Sequence, residues 1–525
     1  MEINKIIVAG GGSAGWMTAA TLIRTFPDKD ITVIESPDVP IIGVGESTID
    51  GIKLWTKYLG LNEKEFLKET NGTYKLSIKF DHFWKKEERH SVNYVFGPPN
   101  LGEFTLNDWW YKKYLDKEAP FHDYACSFYP QMALINRNVF TNNKDDLLPF
   151  DFDSHSAYHF DAVKFGHYLK TNYCLPRGVK HIVEDIKSVE TDDFGVSSLN
   201  KKHKADLFFD CTGQKSLLLG EALKENFIDY SNLLPNNSAW ATKKEYANES
   251  KKHREMKPFT RCTGAPAGWV WEIPLYNRMG MGYVFSDKHT TKEEALEDFK
   301  SFIRGRETEN FVVDDLEFKL IKFKTGIHER PFVKNVCAIG MAAGFIEPLE
   351  SNGLFTVHDF LMKFVGNMTR GKISQWDKDS FNFACRDTYH NFAEFVALHY
   401  ALSHRDETKY WQDIQNKSWS KEMNELKPTL STGLFKAAYD KNKRNRFDTY
   451  GGLHQITAGY NWSPEPYEIA MFNQNLNEEE FEKAHLWKSE KMNKRVRDWH
   501  DIVIKAKLKS MYGWLKENIH EDSTT

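Results

Sequence analysis

The first forty residues show a strand, a glycine-rich turn, a helix and a second strand in succession. Lys5–Ala9 is a continuous apolar run of the kind found in buried parallel strands. Trp16–Phe26 has a helical pattern that Pro27 ends, and Ile31–Glu35 is the next apolar run. This order predicts a βαβ unit that opens an α/β fold.

Two later apolar runs, Leu207–Asp210 and Val336–Ile339, are each followed by small residues. They predict further strands of the same sheet, which must then be assembled from segments far apart in the chain. The segments that we expect to build one module over residues 1–350 are about 1–70, 160–235 and 330–350.

The intervening segments differ in pattern. Residues at about 70–160 are rich in aromatics and alternate like antiparallel strands, and those at about 235–330 predict more strands. Residues 351–525 are predicted to be mainly helical, since Leu354, Val357 and Leu361 have helical spacing.

Composition excludes several classes of protein. The 525 residues carry a formal net charge of -4, whereas a nucleic-acid-binding protein has a strong positive field. Six scattered cysteines without a CxxC pair indicate reduced thiols. The longest apolar stretch, Val336–Ile346, is too short to span a bilayer, and no signal peptide is visible. We therefore expect a cytoplasmic protein without nucleic-acid or membrane partners; a homo-oligomer stays open.

A dinucleotide fingerprint occupies the first turn. Gly10, Gly12 and Gly15 have the spacing that lets a backbone approach a pyrophosphate at a helix N-terminus. Glu35, at the end of the second strand, is placed to bind a ribose hydroxyl. The motif alone does not separate NAD from FAD, but its N-terminal position and the split sheet favour FAD. Residues 1–350 are then an FAD-binding module, and 351–525 a substrate-binding part.

Two further segments could be structural or functional. A strand over Trp269–Pro274 places Trp269, Trp271 and Ile273 on one face, which by itself indicates ordinary core packing. The segment Glu347–Gly353 leads into a helix, whose first N–H groups could bind an anion or simply be capped.

The segment Tyr74–Phe80 alternates polar and apolar residues like a half-buried strand. The polar positions of its one face are Lys75, Ser77, Lys79 and Asp81. By the usual exposure of lysine, that face is solvated. His399 and His404 have no partners at ligand spacing, so no metal site is predicted.

Together these motifs resemble the flavin-dependent halogenases of the tryptophan halogenase family. The segments that carry the resemblance are Gly10–Trp16, Gly43–Thr48, Lys75–Phe80, Trp269–Pro274 and Phe345–Ser351. The WxWxIP pattern within them is nearly diagnostic. The implied fold is that of FAD-dependent monooxygenases, with an inserted antiparallel sheet and a helical C-terminal part.

The resemblance also implies a two-site reaction. Reduced FAD from a separate flavin reductase, dioxygen and a halide yield hypohalous acid, which passes through a tunnel to an electron-rich aromatic substrate. Lys79 and Glu350 are the implied catalytic residues, and Asn352 and Gly353 the implied halide site. The implied flavin contacts are Gly10, Gly12, Ser13, Ala14, Gly15, Glu35, Ser47, Val183, Met341 and Leu354.

Two alternatives remain at this point: a flavin-dependent aromatic hydroxylase, and a flavin-binding protein without catalysis. Leu453 stands where halogenases of free tryptophan often have a tryptophan, and Asn352 where the family often has a threonine. We therefore expect a wide pocket for indoles and phenols, poor use of free tryptophan, and chloride, bromide or iodide as halides.

Overall fold

The structure is a computed structural model. The residues that it describes are 3–37, 46–86, 91–116, 118–307, 311–368, 372–417, 452–462 and 477–521.

The strands are β1 Lys5–Ala9, β2 Asp30–Glu35, β3 Glu46–Ser47, β4 Thr73–Lys75, β5 Ser77–Asp81, β6 Ser91–Val95, β7 Ala157–Phe160, β8 Lys180–Val183, β9 Val189–Asp192, β10 Gly195–Leu199, β11 Leu207–Asp210, β12 Phe227–Asp229, β13 Ser238–Glu245, β14 Phe259–Ala265, β15 Gly268–Pro274, β16 Arg278–Phe285, β17 Lys319–Lys322, β18 Gly326–His328, β19 Phe332–Val333, β20 Val336–Ala338 and β21 Gly344–Phe345.

The helices are α1 Ser13–Thr25, α2 Gly51–Leu59, α3 Glu63–Glu69, α4 Asp108–Leu115, α5 Asp123–Phe128, α6 Gln131–Arg137, α7 Ala162–Tyr168, α8 Glu249–Glu255, α9 Lys292–Arg306, α10 Gly353–Met368, α11 Gln375–Ala401, α12 Lys409–Lys417, α13 Gly452–Gly459, α14 Glu478–Lys505 and α15 Met511–Leu515.

A six-stranded sheet forms the centre of the nucleotide-binding part, in the order β19-β20-β11-β1-β2-β8. The pairs among β20, β11, β1, β2 and β8 are parallel, and only β19 runs antiparallel. The inner strands β1, β11 and β20 are buried almost throughout, as is usual for parallel sheets covered by helices, whereas the edge strand β8 is partly exposed. The sequence prediction of one sheet built from distant segments is confirmed.

A seven-stranded sheet, in the order β17-β13-β16-β15-β14-β5-β6, lies beside it. Paired residues on neighbouring strands point to the same face, so the register defines two faces. The inner face carries Cys262 and Trp271, which are partners, and Phe80, the partner of Cys262 on β5. The outer face carries the Arg261–Glu272 pair.

The segment at about 70–160 differs from its prediction as antiparallel strands. It contains β4 to β7, but also the helices α4, α5 and α6. The aromatics of this segment, such as Trp109, Trp110 and Phe128, are buried on those helices. The aromatic residues of this segment therefore serve core packing, and the prediction of strands is wrong for the three helices. The strands predicted at about 235–330 are present as β13 to β18.

The predicted strand over Tyr74–Phe80 is divided at Leu76. Before it, Lys75 pairs with Ala157 in the three-stranded sheet β3-β7-β4. After it, β5 joins the seven-stranded sheet between β14 and β6. Leu76 itself donates its N–H to the carbonyl of Pro258. The single polar face predicted for this segment does not exist, because the chain changes sheets.

All six cysteines are buried and free of disulfides. In the part of the chain that the structure describes, no helix is long and apolar enough to cross a bilayer.

Candidate active site

The turn between β1 and α1 forms a glycine cradle. A Cβ atom at Gly10, whose φ is +111°, would lie 2.2 Å from the carbonyl oxygen of Cys211. At Gly15 it would lie 1.9 Å from the carbonyl oxygen of Gly10. At Gly12, in contrast, no atom lies within 4 Å, and no side chain caps the helix. The open N-terminus of α1 fits a pyrophosphate, with Ser13 and Ala14 in its first turn.

Glu35 lies at the carboxyl end of β2, beside this cradle. Its Oε2 atom contacts His181 Nε2 at 2.7 Å and Lys170 Nζ at 3.2 Å. No contact to Oε1 is found among the described residues. The register pairs Glu35 with Val183, whose side chain is 61% exposed. One free carboxylate oxygen next to an exposed apolar side chain fits a ribose and an adenine ring.

The turn Gly340–Ala342 joins the cradle from the other side. A Cβ atom at Gly340 would lie 2.9 Å from Cβ of Ala14. Met341 in this turn is therefore near the N-terminus of α1, where the sequence places flavin contacts. Val357 of α10, three residues after the buried Leu354, lies 3.5 Å from the same Cβ position. Gly43–Gly45, from the second matched segment, lie outside the described residues.

Glu350 is held by a buried histidine. Its Oε1 atom lies 2.5 Å from Nε2 of His399, and both side chains are almost completely buried. On the other side of the ring, Nδ1 of His399 lies 2.9 Å from the hydroxyl of Tyr460. Oε2 of Glu350 has no hydrogen-bond partner among the described residues. One carboxylate oxygen is thus fixed, and the other can accept a proton.

Lys75 is fully buried next to this group. Its Nζ atom donates to Oγ of Ser47 at 2.8 Å, to Oγ of Ser351 at 2.8 Å and to the carbonyl oxygen of Thr48 at 2.9 Å. Burial lowers the pKa of Lys75 to about 7, although the nearby Glu350 carboxylate favours the charged form. Ser47, an expected flavin contact, therefore also orients this lysine.

Lys79 lies on the outer face of the seven-stranded sheet. It is the register partner of Arg261, whereas its neighbour Phe80 points inward, with its ring centroid 4.4 Å from that of His399 and tilted against it. Nζ of Lys79 lies 3.7 Å from Oδ1 of Asp81, also on the outer face. The sheet itself therefore separates Lys79 from Glu350. The structure does not bring together the two residues that the resemblance pairs.

The WxWxIP strand contributes to the inner face, as its alternation indicates. Nε1 of Trp269 donates to Oε2 of Glu347 at 2.7 Å. The same oxygen accepts from Asn236 at 2.7 Å and from the hydroxyl of Tyr400 at 2.9 Å. Burial raises the pKa of Glu347, although these three hydrogen bonds partly lower it. Trp269 thus fixes the loop that leads to Glu350; Trp271 and Ile273 share its face, and Pro274 ends the strand.

Asn352 and Gly353 begin α10 immediately after Glu350. Ser351 has a φ of +57°, which turns the chain into the helix. Asn352 is buried, and its Oδ1 has no hydrogen-bond partner among the described residues. A Cβ atom at Gly353 would meet nothing within 4 Å. Free N–H groups at a helix start, with space beside Gly353, fit an anion.

The sequence reasoning missed two residues of this site. The sequence predicts a solvated face for Lys75 and no metal-binding role for His399. The signal for Lys75 was present as the first lysine of the matched Lys75–Phe80 segment. No local signal could have paired His399 with Glu350.

A glycine cradle in the first turn of a parallel sheet, together with a second, largely antiparallel sheet, is typical of the FAD-dependent monooxygenase type of fold. The family described as tryptophan halogenase matches residues 5–480, so the chain belongs to that family.

Individual relatives agree with this assignment. The chain is 32% identical over 436 residues to tryptophan 6-halogenase SttH of Streptomyces toxytricini, across 79% of this chain and 81% of that protein. Tryptophan 7-halogenase RebH of Lentzea aerocolonigenes is 30% identical, across 78% of each chain. The structure of VirX1 superposes with a TM-score of 0.84 at 31% identity, across 99% of this chain and all of that one. The predicted fold, the halogenase activity and the use of flavin, halide and dioxygen are confirmed.

Proposed function

We propose that this protein halogenates electron-rich aromatic compounds with hypohalous acid, which Lys75 and Glu350 direct onto the substrate. The observation that carries the proposal is the burial of Lys75 against Ser351, the residue next to Glu350. A buried ammonium and a carboxylate with one free oxygen supply a donor for the halogenating agent and an acceptor for the displaced proton.

Lys75 takes the role that the sequence analysis gave to Lys79. A group that polarises hypohalous acid must reach the same space as the carboxylate that accepts the ring proton. Lys75 meets this requirement through Ser47 and Ser351, whereas Lys79 is turned to the outer face.

Reduced FAD, when bound, would enable dioxygen to oxidise the halide. A separate flavin reductase would provide the reduced FAD. The cradle of Gly10, Gly12 and Gly15 would hold its pyrophosphate, and Glu35 its ribose. N–H groups of Asn352 and Gly353 would hold the halide, because the start of α10 favours an anion.

The protein's own residues then act on hypohalous acid and substrate. Lys75 donates a hydrogen bond to the oxygen of the acid in place of one of its three bonds to Ser47, Thr48 and Ser351, which leaves the halogen more electrophilic. Glu350 accepts the proton that the ring loses after the halogen adds. His399 holds the other oxygen of Glu350, so that the accepting oxygen keeps its direction.

The substrate is proposed from Leu453, which lies on the helix that ends next to Tyr460, the hydrogen-bond partner of His399. SttH and RebH are named for tryptophan. Here Leu453 lies on α13, which packs on β6 through hydrogen bonds of Gln455 with the backbone of Val95. An aliphatic side chain cannot stack on an indole as an aromatic one does, a difference of about 1 kcal/mol. We therefore propose indoles and phenols in general as substrates, with free tryptophan used poorly.

A panel of indoles, phenols and free tryptophan tests this, assayed with a flavin reductase and with chloride, bromide or iodide. We expect halogenated products that depend on halide. Equal turnover without halide to a hydroxylated product would instead support an aromatic hydroxylase. Flavin binding without any product would support a non-catalytic protein, and the highest kcat/KM with free tryptophan would refute the proposed substrate.

A further inference from the structure

A charged cavity lies on the outer face of the seven-stranded sheet, on the side opposite to Trp269 and Glu350. Its volume is about 250 Å³, and its walls include Lys257, Arg261, Arg306 and Glu272. We call these four residues and the space between them the basic cavity. Because β14 and β15 form its floor, the sheet separates it from the proposed active site.

Positive charge exceeds negative charge around this cavity. Glu272 lies 3.7 Å from Arg261 and 3.4 Å from Arg306. Asp81 at its edge lies 3.3 Å from Arg261 and 3.7 Å from Lys79. These two carboxylates are therefore each shared between two cations. Two further carboxylates of the lining, Glu255 and Glu307, pair with Lys244, and Arg254 and Lys257 add positive charge.

Lys257 has no acidic partner within ion-pair distance among the described residues, although the nearby Glu255 carboxylate favours its charged form. No ion pair or hydrogen bond to its ammonium group exists among the described residues. Burial, with Arg261 and Lys79 nearby, lowers the pKa of Lys257 to about 8. A half-buried lysine that faces other cations is destabilising unless an anion neutralises it.

Arg261 also has unused donor capacity. Its Nε atom is buried and has no hydrogen-bond partner among the described residues. Its contacts with Asp81 and Glu272 are ion pairs at 3.3 and 3.7 Å, too long or misaligned for strong hydrogen bonds. A planar guanidinium with free N–H groups is the usual receptor for a phosphate oxygen.

We propose that the basic cavity binds an oxyanion of the phosphate type, held by Lys257, Arg261 and Arg306. The volume admits a phosphate or diphosphate group and little more. The site is independent of halogenation, because it lies across the sheet from Glu350. The phosphate could belong to a free ion or to the end of a larger molecule, and both present the same oxygens.

Calorimetric titration of the full-length protein at constant ionic strength tests this. The probes are inorganic phosphate, inorganic diphosphate and adenosine diphosphate. We expect saturable binding of one phosphate or diphosphate group per chain, and a weakening of about tenfold in Lys257→Met, since one charge-assisted contact is lost. Tighter binding of inorganic diphosphate indicates a free ion, and tighter binding of the nucleotide indicates a larger molecule.

Two variants control for general effects of charge and of pH. Lys243→Met removes one exposed positive charge from β13 and should change the Kd by less than twofold. Lys257→Arg keeps its charge at pH 9, so the ratio of its Kd to that of the wild type should fall between pH 7 and pH 9. Absence of saturable binding, or equal weakening in Lys243→Met, would overturn the proposal. If Lys257→Met does not fold, Lys257→Gln replaces it with the same expectation.

Discussion

Lys75 and Lys79 are four residues apart in one segment, and the fold sends them to opposite sides of a sheet. Lys75 is fully buried and donates three hydrogen bonds beside Glu350. Lys79 is partly exposed and lies near Asp81 and Arg261. Burial lowers the pKa of both amines, in Lys79 partly offset by Asp81.

The difference between them comes from backbone pairing. Residues that are an even number of positions apart share a face only while the chain stays in one sheet. At Leu76 the chain leaves the three-stranded sheet and joins the seven-stranded one. The even spacing of Lys75 and Lys79 therefore no longer predicts that their side chains share a face. The strand on which each lysine lies therefore decides which lysine of the motif faces Glu350.

The two lysine variants should differ in halogenation activity more than any other pair of variants. We expect Lys75→Met to lower halogenation about a thousandfold, because the donor to hypohalous acid is lost. Lys79→Met should stay within about threefold of the wild type. The measurement is halogenated product per unit time with a reductase, with flavin oxidation and FAD binding as controls. Loss of activity in Lys79→Met with an active Lys75→Met would reverse the assignment.

The carboxylates on the two sides sharpen the same comparison. Glu350→Gln should lower halogenation about a hundredfold while FAD affinity is retained, because the amide cannot accept the ring proton. Glu272→Gln, its counterpart on the outer face, should cost less than about threefold. Single-turnover product formation measures both. Similar losses in the two variants would show that the sheet does not separate the functions.

His399 should act only through Glu350. His399→Gln is expected to lower kcat about tenfold with little change in KM. The Glu350 carboxylate is then less well oriented to accept the proton, whereas substrate binding is unaffected. His404→Gln removes an exposed histidine near the end of the same helix and should have no effect beyond twofold. A rise in KM with unchanged kcat would contradict a positioning role.

The pH profile gives the smallest and most specific effect. The pKa of Lys75 lies near 7, so its ammonium loses its proton as pH rises through that value, and halogenation should fall there. The Glu350 charge favours the ammonium; in Glu350→Gln the midpoint of residual activity should therefore move to lower pH. A rate that rises through pH 7 would instead indicate that the neutral amine forms a haloamine.

Local patterns were sufficient for the nucleotide-binding part. The βαβ unit, the cradle at Gly10–Gly15 and the strand at Leu207–Asp210 follow from apolar runs and glycine spacing, and the structure has them. They are local because each strand and its turn are contiguous in sequence.

The proposed catalytic group could not be predicted in the same way. The contact of Glu350 with His399, and of His399 with Tyr460, depends on the packing of α10, α11 and α13. The helices at 108–137 were missed since their aromatics resemble those of strands. Tertiary packing decides both cases.

The parallel pairing of β5 with β14 has a consequence for biosynthesis. The strand of Ser77 has no neighbour on that side until Phe259 has been synthesised. His399 likewise lacks its hydrogen-bond partner until Tyr460 has been synthesised. Such a high contact order slows folding and leaves strand edges uncovered on the nascent chain. Nearly the whole polypeptide must therefore be synthesised before the contacts of Glu350 with His399, and of His399 with Tyr460, can form.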